Sequence, residues 1–264
     1  MSHEPDNNSD LPQNIVNKVV ETAIASQVKS AGKIDVNLNS EVFQALQGKA
    51  NSLKIIGEKV IAFKDIQLEE IDIACQDLSL NLTQALLGNI AFDQPGNFQI
   101  KLVFTESDCD RLLNSAYVRT LLQNLALEID RQPANFYLQQ SKCHLKQEGN
   151  LSLEGIIILN REQQLKTAPF KIAFLFYQAG LEIGFGGGKY LENQTLDLNE
   201  TVAIMNKVQN LLYLRNFEND DLAFDITNIQ IKQQQLIIQA NTEIKRLPDS
   251  ISQSIKSVSS EINN

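Results

Sequence analysis

Apolar and polar residues alternate one by one over many short stretches of this chain. In the first stretch Ile34, Val36 and Leu38 are apolar, and lysine, aspartate and asparagine stand around them. The alternation recurs in stretches with these apolar residues: Phe98, Ile100, Leu102 and Phe104; Leu125, Leu127 and Ile129; Leu151, Leu153, Ile157 and Leu159; Leu181, Ile183 and Phe185; Leu236, Ile238 and Ala240. A period of two predicts strands with one wet face, which belong to antiparallel sheets. We therefore expect a mainly antiparallel sheet.

Two of the predicted strands contain a slip of one residue in this alternation. Glu69 and Glu70 interrupt one strand, and Thr227 and Asn228 interrupt the other. Such a slip turns every later side chain to the opposite face unless a β-bulge absorbs the extra residue, and a bulge bends its strand. We predict bulged, strongly curved strands at both places, with a loop at each slip as the alternative. Their presence in both halves of the chain suggests a duplicated unit.

Helical spacing of apolar residues appears between the strands. A stripe over Ile15–Val28 predicts an amphipathic helix, and a shorter helix is expected around Leu80–Leu87. Two further helices are predicted to begin after Thr105 and after Asp197, because an acidic residue follows each cap three positions later, as in a capping box. The helix after Thr105 is expected to break near 114–115.

The elements together predict an α+β fold in which a strongly curved, mainly antiparallel sheet wraps around long amphipathic helices. With 264 residues, of which 43% are hydrophobic, the chain is long enough to bury a core. Residues 1–11 and 248–264 are rich in Ser, Asn, Asp and Glu, so we predict mobile tails there. Residues 12–247 are predicted to form a single domain.

Charge and cysteine content restrict the partners and the compartment. A formal net charge of −9 repels a phosphate backbone, so nucleic acid is not an expected partner. No basic and apolar leader stands at the N-terminus, and apolar runs such as Ile172–Tyr177 are too short to span a bilayer. Cys75, Cys109 and Cys143 are an odd number without a C-x-x-C pair, which favours a reducing compartment. We expect a cytoplasmic protein that also contacts a membrane surface.

Residues that could perform chemistry are few. The segment Gly184–Tyr190 ends in Gly-Lys-Tyr, and a phosphate-binding loop would need a glycine in place of Ile183 and Ser or Thr in place of Tyr190, so we predict a flexible hairpin or strand end. Glu106, Asp108 and Asp110 stand at a helix start, where capping and the helix dipole explain the first two and leave Asp110 as an ordinary exposed acid.

Cys143 and His144 are neighbours on a predicted strand, so their side chains point to opposite faces. They are therefore not expected to share a metal ion or to form a nucleophile–base pair. No cofactor and no metal is predicted. The absence of Trp and an aromatic content of 6% give little support to a base- or sugar-stacking site.

Several segments of the chain resemble the LmeA-like phospholipid-binding family, especially its cyanobacterial members. The segments are Phe104–Asp108, Leu112–Tyr117, Gly188–Leu191 and Leu211–Glu218, together with Ala85–Ile90 and the N-terminal helix. The resemblance covers residues 12–247 and implies a fold like that of the bactericidal/permeability-increasing protein and the tubular lipid-binding group. In that fold a curved antiparallel sheet surrounds long helices and encloses an apolar cavity for phospholipid. The chain departs from envelope-anchored family members, since its first residues carry no signal peptide or lipoprotein cysteine.

The leading hypothesis is a non-enzymatic protein that holds a phospholipid or other apolar chain between curved sheet and helices and carries or presents it at a membrane surface. The expected ligand contacts are Leu112, Leu121, Leu122, Phe174, Phe176, Met205 and Leu212, chosen because they lie on apolar faces of elements that can meet across the sheet. The alternative is a ligand-free scaffold or interaction protein with a filled core. An enzyme that relies on His144 is a third candidate.

Overall fold

The computed structural model describes residues 30–39, 49–61, 66–79, 91–125, 127–146, 150–177, 182–191, 195–212 and 222–246. The predicted helices over Ile15–Val28 and around Leu80–Leu87, and both predicted tails, lie outside these residues. The described strands are β1 Lys33–Asn39, β2 Lys49–Ile61, β3 Gln67–Ser79, β4 Ala91–Thr105, β5 Leu127–Ile129, β6 Gln132–Lys146, β7 Asn150–Arg161, β8 Gln164–Tyr177, β9 Glu182–Tyr190, β10 Leu222–Lys232 and β11 Gln235–Arg246. The described helices are α1 Glu106–Leu113, α2 Ala116–Gln123 and α3 Leu198–Leu212.

The strands form two sheets, one with the order β1-β2-β3-β4-β11-β10 and one with the order β5-β6-β7-β8-β9. Every strand pair in the described part of the chain is antiparallel, which confirms the predicted sheet type. The structure contains a sheet that is strongly curled into a half-barrel, which confirms the predicted curvature. The prediction of long helices is not met among the described residues, because α1 and α2 have 8 residues each and α3 has 15. None of these helices is long and apolar enough to cross a membrane.

The slip at Thr227 is a β-bulge, as predicted. The pairing of β10 with β11 shifts by one residue between Ile226 and Asn228, which leaves Thr227 as the extra residue. The Thr227 hydroxyl donates to the Gln239 carbonyl over 3.2 Å. Because of the extra residue, Ile226 and Ile229 lie on the same face of β10 although they are three positions apart in the sequence.

The bulge predicted at Glu69 and Glu70 is wrong. The register of β2 with β3 runs without a shift from Ile55↔Ile73 to Val60↔Leu68. Instead both strands change their buried parity at the same place. On one side of the change Ile55 of β2 and Cys75 of β3 are buried, and on the other side the paired Val60 of β2 and Leu68 of β3 are buried.

Because the two strands switch faces together, no extra residue is needed. Lys59 lies at the switch with φ of 51°, in the left-handed region that a lysine rarely adopts. A side chain at Gly57 would come within 2.6 Å of Val60 Cγ2, so the close approach of the kinked strands requires glycine there. Beyond the kink β3 contacts α1, where Gln67 accepts a hydrogen bond from Arg111.

Helices α1 and α2 follow the predicted signals. Thr105 is the N-cap of α1, and Asp108 completes a capping box with it: the Asp108 amide donates to the Thr105 hydroxyl over 3.2 Å, and the Thr105 amide donates to the Asp108 carboxylate over 2.9 Å. The predicted break is confirmed, because α1 ends at Leu113 and Ser115 caps α2. Two short helices therefore lie where one continuous helix would be too straight to follow the curled sheet.

Helix α1 lies along the open edge of β6. Strand β5 pairs only with residues 132–134 of β6, so the rest of that edge has backbone amides without a strand partner. The Glu106 carboxylate accepts from the Leu145 amide, and the Asp110 carboxylate accepts from the Cys143 amide, each over 2.6 Å. The helical spacing of four residues matches the two-residue spacing of outward amides on the strand.

Asn114 continues this row one turn later. Its carbonyl oxygen accepts from the Ser141 amide over 2.9 Å, and its amide group donates to the Ser141 carbonyl over 2.8 Å. The expectation that Asp110 is an ordinary exposed acid is therefore wrong, because its carboxylate replaces a neighbouring strand as a hydrogen-bond acceptor. Sequence spacing did not reveal this role, since it depends on which strand edge the helix meets.

Candidate functional site

An apolar cavity of about 440 Å³ lies between the two sheets and the three helices. The described residues that line it are all aliphatic, aromatic or sulfur-containing. They are Phe104, Cys109, Leu112, Leu113, Val118, Leu121, Leu122, Phe136, Leu138, Cys143, Leu151, Leu153, Ile157, Phe170, Ile172, Phe174, Phe176, Ile183, Phe185, Ile204, Met205, Val208, Ile229, Leu236 and Ile238. Protein interiors are normally packed with few voids larger than a water molecule, so a cavity of this size needs a functional explanation.

The five-stranded sheet supplies one wall of the cavity through strict alternation. On β8, every second residue from Phe170 through Ile172 and Phe174 to Phe176 faces the cavity. The rings of Phe174 and Phe185 on neighbouring β9 lie 5.6 Å apart in a tilted arrangement that favours aromatic contact. Aromatic side chains on these adjacent strands therefore pack against each other in the cavity wall.

The three helices and the six-stranded sheet supply the opposite wall. Leu112 of α1, Leu121 and Leu122 of α2, and Ile204 and Met205 of α3 turn toward the cavity. Phe104 of β4, Ile229 of β10, and Leu236 and Ile238 of β11 also line the cavity. Both sheets and all three described helices thus share one apolar space.

Six of the seven residues predicted as ligand contacts line this cavity: Leu112, Leu121, Leu122, Phe174, Phe176 and Met205. The seventh, Leu212, is the last residue of α3, and its side chain lies outside the described part of the structure. Contact of these residues with a ligand stays a prediction. The residues that sequence reasoning missed on β6, β7 and β9 share the face of Phe174, and period-two alternation was the signal that could have found them. The contributions of β10 and β11 had no such signal, because alternation does not say which sheets meet.

Helix α3 is anchored beside the cavity by a second capping box. The Glu200 amide donates to the Asp197 carboxylate over 2.9 Å, and the Asp197 amide donates to the Glu200 carboxylate over 3.0 Å, which confirms the predicted helix start. Glu200 is fully buried and accepts from Lys166 of β8 over 2.5 Å. A buried carboxylate with a charged partner and a backbone donor is costly to misplace, so this contact fixes where α3 crosses the sheet.

A smaller cavity of about 290 Å³ adjoins the large one where α3 meets β9. The two share five lining residues, which are Ile157, Phe170, Ile172, Ile204 and Met205. Gly188, Tyr190 and Thr201 line only the smaller cavity, and Gly188 is exposed to solvent. We call this contact zone between β9 and α3 the seam, and through it the large cavity reaches the surface.

The glycine-rich segment explains the shape of the seam. It forms β9, an edge strand, in agreement with the predicted strand end and not with a phosphate loop. The pairing of β9 with β8 shifts at Phe174, and Gly187 has φ of 127°, a conformation that side chains rarely adopt. This bulge moves Tyr190 onto the face already occupied by Phe185, so both point toward the cavities.

A hydrogen bond crosses the seam from β9 to α3. The Tyr190 and Thr201 hydroxyl oxygens lie 2.6 Å apart, and the Thr201 hydroxyl donates its proton to the Asp197 carbonyl over 2.8 Å. Tyr190 must therefore be the donor to Thr201. Burial raises the pKa of the Tyr190 phenol, the hydrogen bond with Thr201 opposes this rise in part, and the charges of nearby Glu200 and Asp197 add to it. The phenol remains a protonated donor at neutral pH.

Cys109, His144 and Glu154 each interact with a neighbouring side chain. Cys109 and Cys143 are buried, and a hydrogen bond with the Cys143 thiol, followed by burial, raises the pKa of the Cys109 thiol, so it is a poor nucleophile. His144 lies 3.2 Å from the Glu154 carboxylate, which also accepts from Lys171. These bonds from Lys171 and His144 lower the pKa of Glu154. Among the described residues no three metal-binding side chains cluster.

Comparison with known proteins adds one finding. A family model described as LmeA-like phospholipid-binding matches residues 13–241. The match spans the five-stranded sheet, the three described helices, the six-stranded sheet up to residue 241 of β11, and every described residue that lines the two cavities. No curated protein and no solved structure matches the chain.

Proposed function

The chain belongs to the LmeA-like phospholipid-binding family, and from that premise we propose that it holds an acyl chain of a phospholipid in the apolar cavity and carries or presents the lipid at a membrane surface. The observation that carries the proposal is the cavity of about 440 Å³, to which the described part of the chain contributes no residue with a charged, amide or hydroxyl group. Binding sites for small molecules typically enclose about 300–1,000 Å³. The role is one of binding, and we assign no covalent chemistry to it.

Burial of hydrocarbon supplies the affinity in this proposal. Each methylene that leaves water contributes ~0.8 kcal/mol. An empty apolar cavity also lacks van der Waals contacts on one side of each lining atom, and an acyl chain restores them. The alternative of a scaffold with a filled core is less favoured, because Leu121, Phe176 and the other lining residues leave space that a filled core would close.

The membrane surface enters the proposal through α3. Leu198 and Val202 are adjacent on one face of this helix, and their exposed fractions are 76% and 45%. Met205, which lines both cavities, follows on the same helix within one turn of Val202. An exposed apolar stripe that leads to a lipid cavity supports contact with a phospholipid bilayer at this helix.

A cavity-filling variant tests the proposal. Met205→Trp places an indole in the cavity, whereas Asn206→Trp, the matched control, adds the same group at an exposed position of α3. If the indole displaces one or two methylenes of ligand, we expect Met205→Trp to weaken lipid binding by about 4- to 15-fold. Native mass spectrometry of gently purified protein, and uptake of fluorescent phosphatidylcholine from vesicles, measure the effect.

The controls separate the outcomes. Unchanged chain and Asn206→Trp are expected to retain lipid on purification and to take up the probe equally well. Protein that neither co-purifies with lipid nor takes up the probe contradicts the proposal. Equal binding by Met205→Trp and Asn206→Trp would place the lipid outside this cavity.

A further inference from the structure

The seam between β9 and α3 has features that the large cavity lacks. It is where apolar space meets solvent, at the exposed Gly188, and where hydroxyl groups of Tyr190 and Thr201 stand beside that space. A phospholipid is itself apolar at one end and polar at the other. A phospholipid with its acyl chain in the large cavity therefore places its polar end at the seam.

The charges near the seam indicate which polar group fits. Lys171 and Lys189 border the smaller cavity, but they pair directly with each other in the sheet between the inward pairs Phe170↔Tyr190 and Ile172↔Gly188. Strand alternation turns both lysine side chains to the opposite face. The carboxylates of Glu200 and Asp197 lie near the Tyr190 phenol and repel a phosphate, and the ammonium group of Lys166 is already paired with both of them, 2.5 Å from Glu200 and 3.8 Å from Asp197.

We propose that the seam binds the glycerol-ester part of the lipid, with the Tyr190 hydroxyl donating a hydrogen bond to an acyl ester carbonyl. This inference rests on the proposed function and adds the chemical group that the protein recognises. An ester carbonyl is a neutral acceptor, so it meets no repulsion from Glu200 or Asp197. Tyr190 exchanges its present acceptor, the Thr201 hydroxyl, for the carbonyl, and the phosphate headgroup stays in solvent beyond Gly188.

The proposal predicts discrimination by linkage and not by headgroup. Diester and diether phosphatidylcholine with equal chains differ in the carbonyl oxygens, which the diether lacks. Unchanged protein is expected to bind the diester more tightly, but by less than the about fivefold that one net hydrogen bond provides, because the carbonyl replaces the Thr201 hydroxyl as the acceptor of Tyr190. Tyr190→Phe removes only the hydroxyl and is expected to bind both lipids with the affinity that the unchanged protein has for the diether. Dissociation constants from titration of vesicle-extracted, tritium-labelled lipids give the comparison.

Thr201→Val is the matched variant on the other side of the seam. It removes the present acceptor of Tyr190 and keeps the donor, so the ester carbonyl no longer replaces an existing hydrogen bond and the preference for the diester is expected to rise to about fivefold. Phosphatidylcholine and phosphatidylglycerol with equal ester chains are expected to bind within about twofold of each other, because the headgroup lies in solvent.

The outcomes distinguish this inference from the proposed function. Binding of both lipids without a diester preference, or a preference that survives in Tyr190→Phe, overturns the ester contact and leaves the cavity proposal intact. A strong preference for phosphatidylglycerol would replace the ester by a phosphate contact and also overturns the inference. Failure of every variant to bind either lipid overturns the proposed function itself.

A steric variant provides a second test at the same place. A Cβ at Gly188 would meet its nearest atoms at 3.4 Å and the residue has no positive φ, so Gly188→Leu is compatible with the backbone. Its side chain enters the seam, and we expect lipid uptake to slow at least about tenfold, as for a blocked exit. Glu128→Leu, an exposed position on β5, is the control. Uptake by Gly188→Leu at the control rate would show that the lipid enters elsewhere.

Discussion

Single acidic residues in this protein hold a helix against a strand edge, and Asp110 is the clearest case. Its carboxylate accepts from the Cys143 amide over 2.6 Å, midway between the equivalent contacts of Glu106 and Asn114. Sequence reasoning recognised the capping role of Asp108 because the cap and its partner are three residues apart in the chain. The partner of Asp110 is 33 residues away, and no local pattern encodes such a distance.

Replacing this carboxylate tests its contribution to stability. Asp110→Ala leaves the Cys143 amide without an acceptor, and we expect the free energy of unfolding to fall by about 1.5–3 kcal/mol, the range for hydrogen bonds to charged groups. Asp110→Asn keeps an acceptor and is expected to lose less. Glu128→Ala, at an exposed position, is expected to change the value by less than about 0.5 kcal/mol. Urea unfolding monitored by circular dichroism measures all three, and equal values for Asp110→Ala and Glu128→Ala would contradict the assignment.

At the scale of elements, α3 combines an anchored start, a cavity face and an exposed apolar face. The Asp197–Glu200 capping box and the helical spacing of apolar residues are both visible in the sequence. The start of the helix was therefore predicted correctly. Its exposed face was not predicted. Leu198 and Val202 fit the same apolar stripe as the buried residues, and only the position of the sheet decides which of them face water.

The exposed face of α3 is expected to contribute to membrane contact. Leu198→Ser combined with Val202→Ser removes two apolar side chains that would enter the bilayer interface. Partial burial of both contributes about 1.5–3 kcal/mol, so we expect vesicle binding to weaken roughly tenfold or more. Co-sedimentation with phosphatidylcholine vesicles measures this, with Asn206→Ser as the control on the same helix. Unchanged sedimentation of the double variant would place the membrane contact elsewhere.

For the whole molecule, the sequence predicted the sheet type, the curvature and most strands, because period two and local slips are visible in one dimension. It did not predict two separate sheets, nor the paired kink of β2 and β3, in which Lys59 adopts a conformation that its residue type does not favour. The sequence was compatible both with an apolar cavity and with a filled core. The volume of the cavity depends on how far two curled sheets stand apart, and this distance is a property of the assembled elements.

A filled cavity is expected to stabilise the entire fold. Phosphatidylcholine at 100 times its dissociation constant raises the free energy of unfolding by about 2.7 kcal/mol if it binds only the folded chain. Delipidated protein is therefore expected to melt at a lower temperature and to recover on addition of the lipid. Differential scanning calorimetry against lipid concentration checks this, and glycerophosphocholine, which has no acyl chain, is the control. A melting temperature that does not change with phosphatidylcholine would argue against binding to the folded state.

The row of acceptors on α1 has a consequence for how copies of this protein meet one another. A strand edge with free amides is a template on which a second chain can add a strand, and such additions lead to aggregates. Glu106, Asp110 and Asn114 occupy the outward amides of Leu145, Cys143 and Ser141, so this stretch of the β6 edge offers those amides to no foreign strand. The helix that borders the cavity thereby also keeps the sheet from growing beyond its own chain.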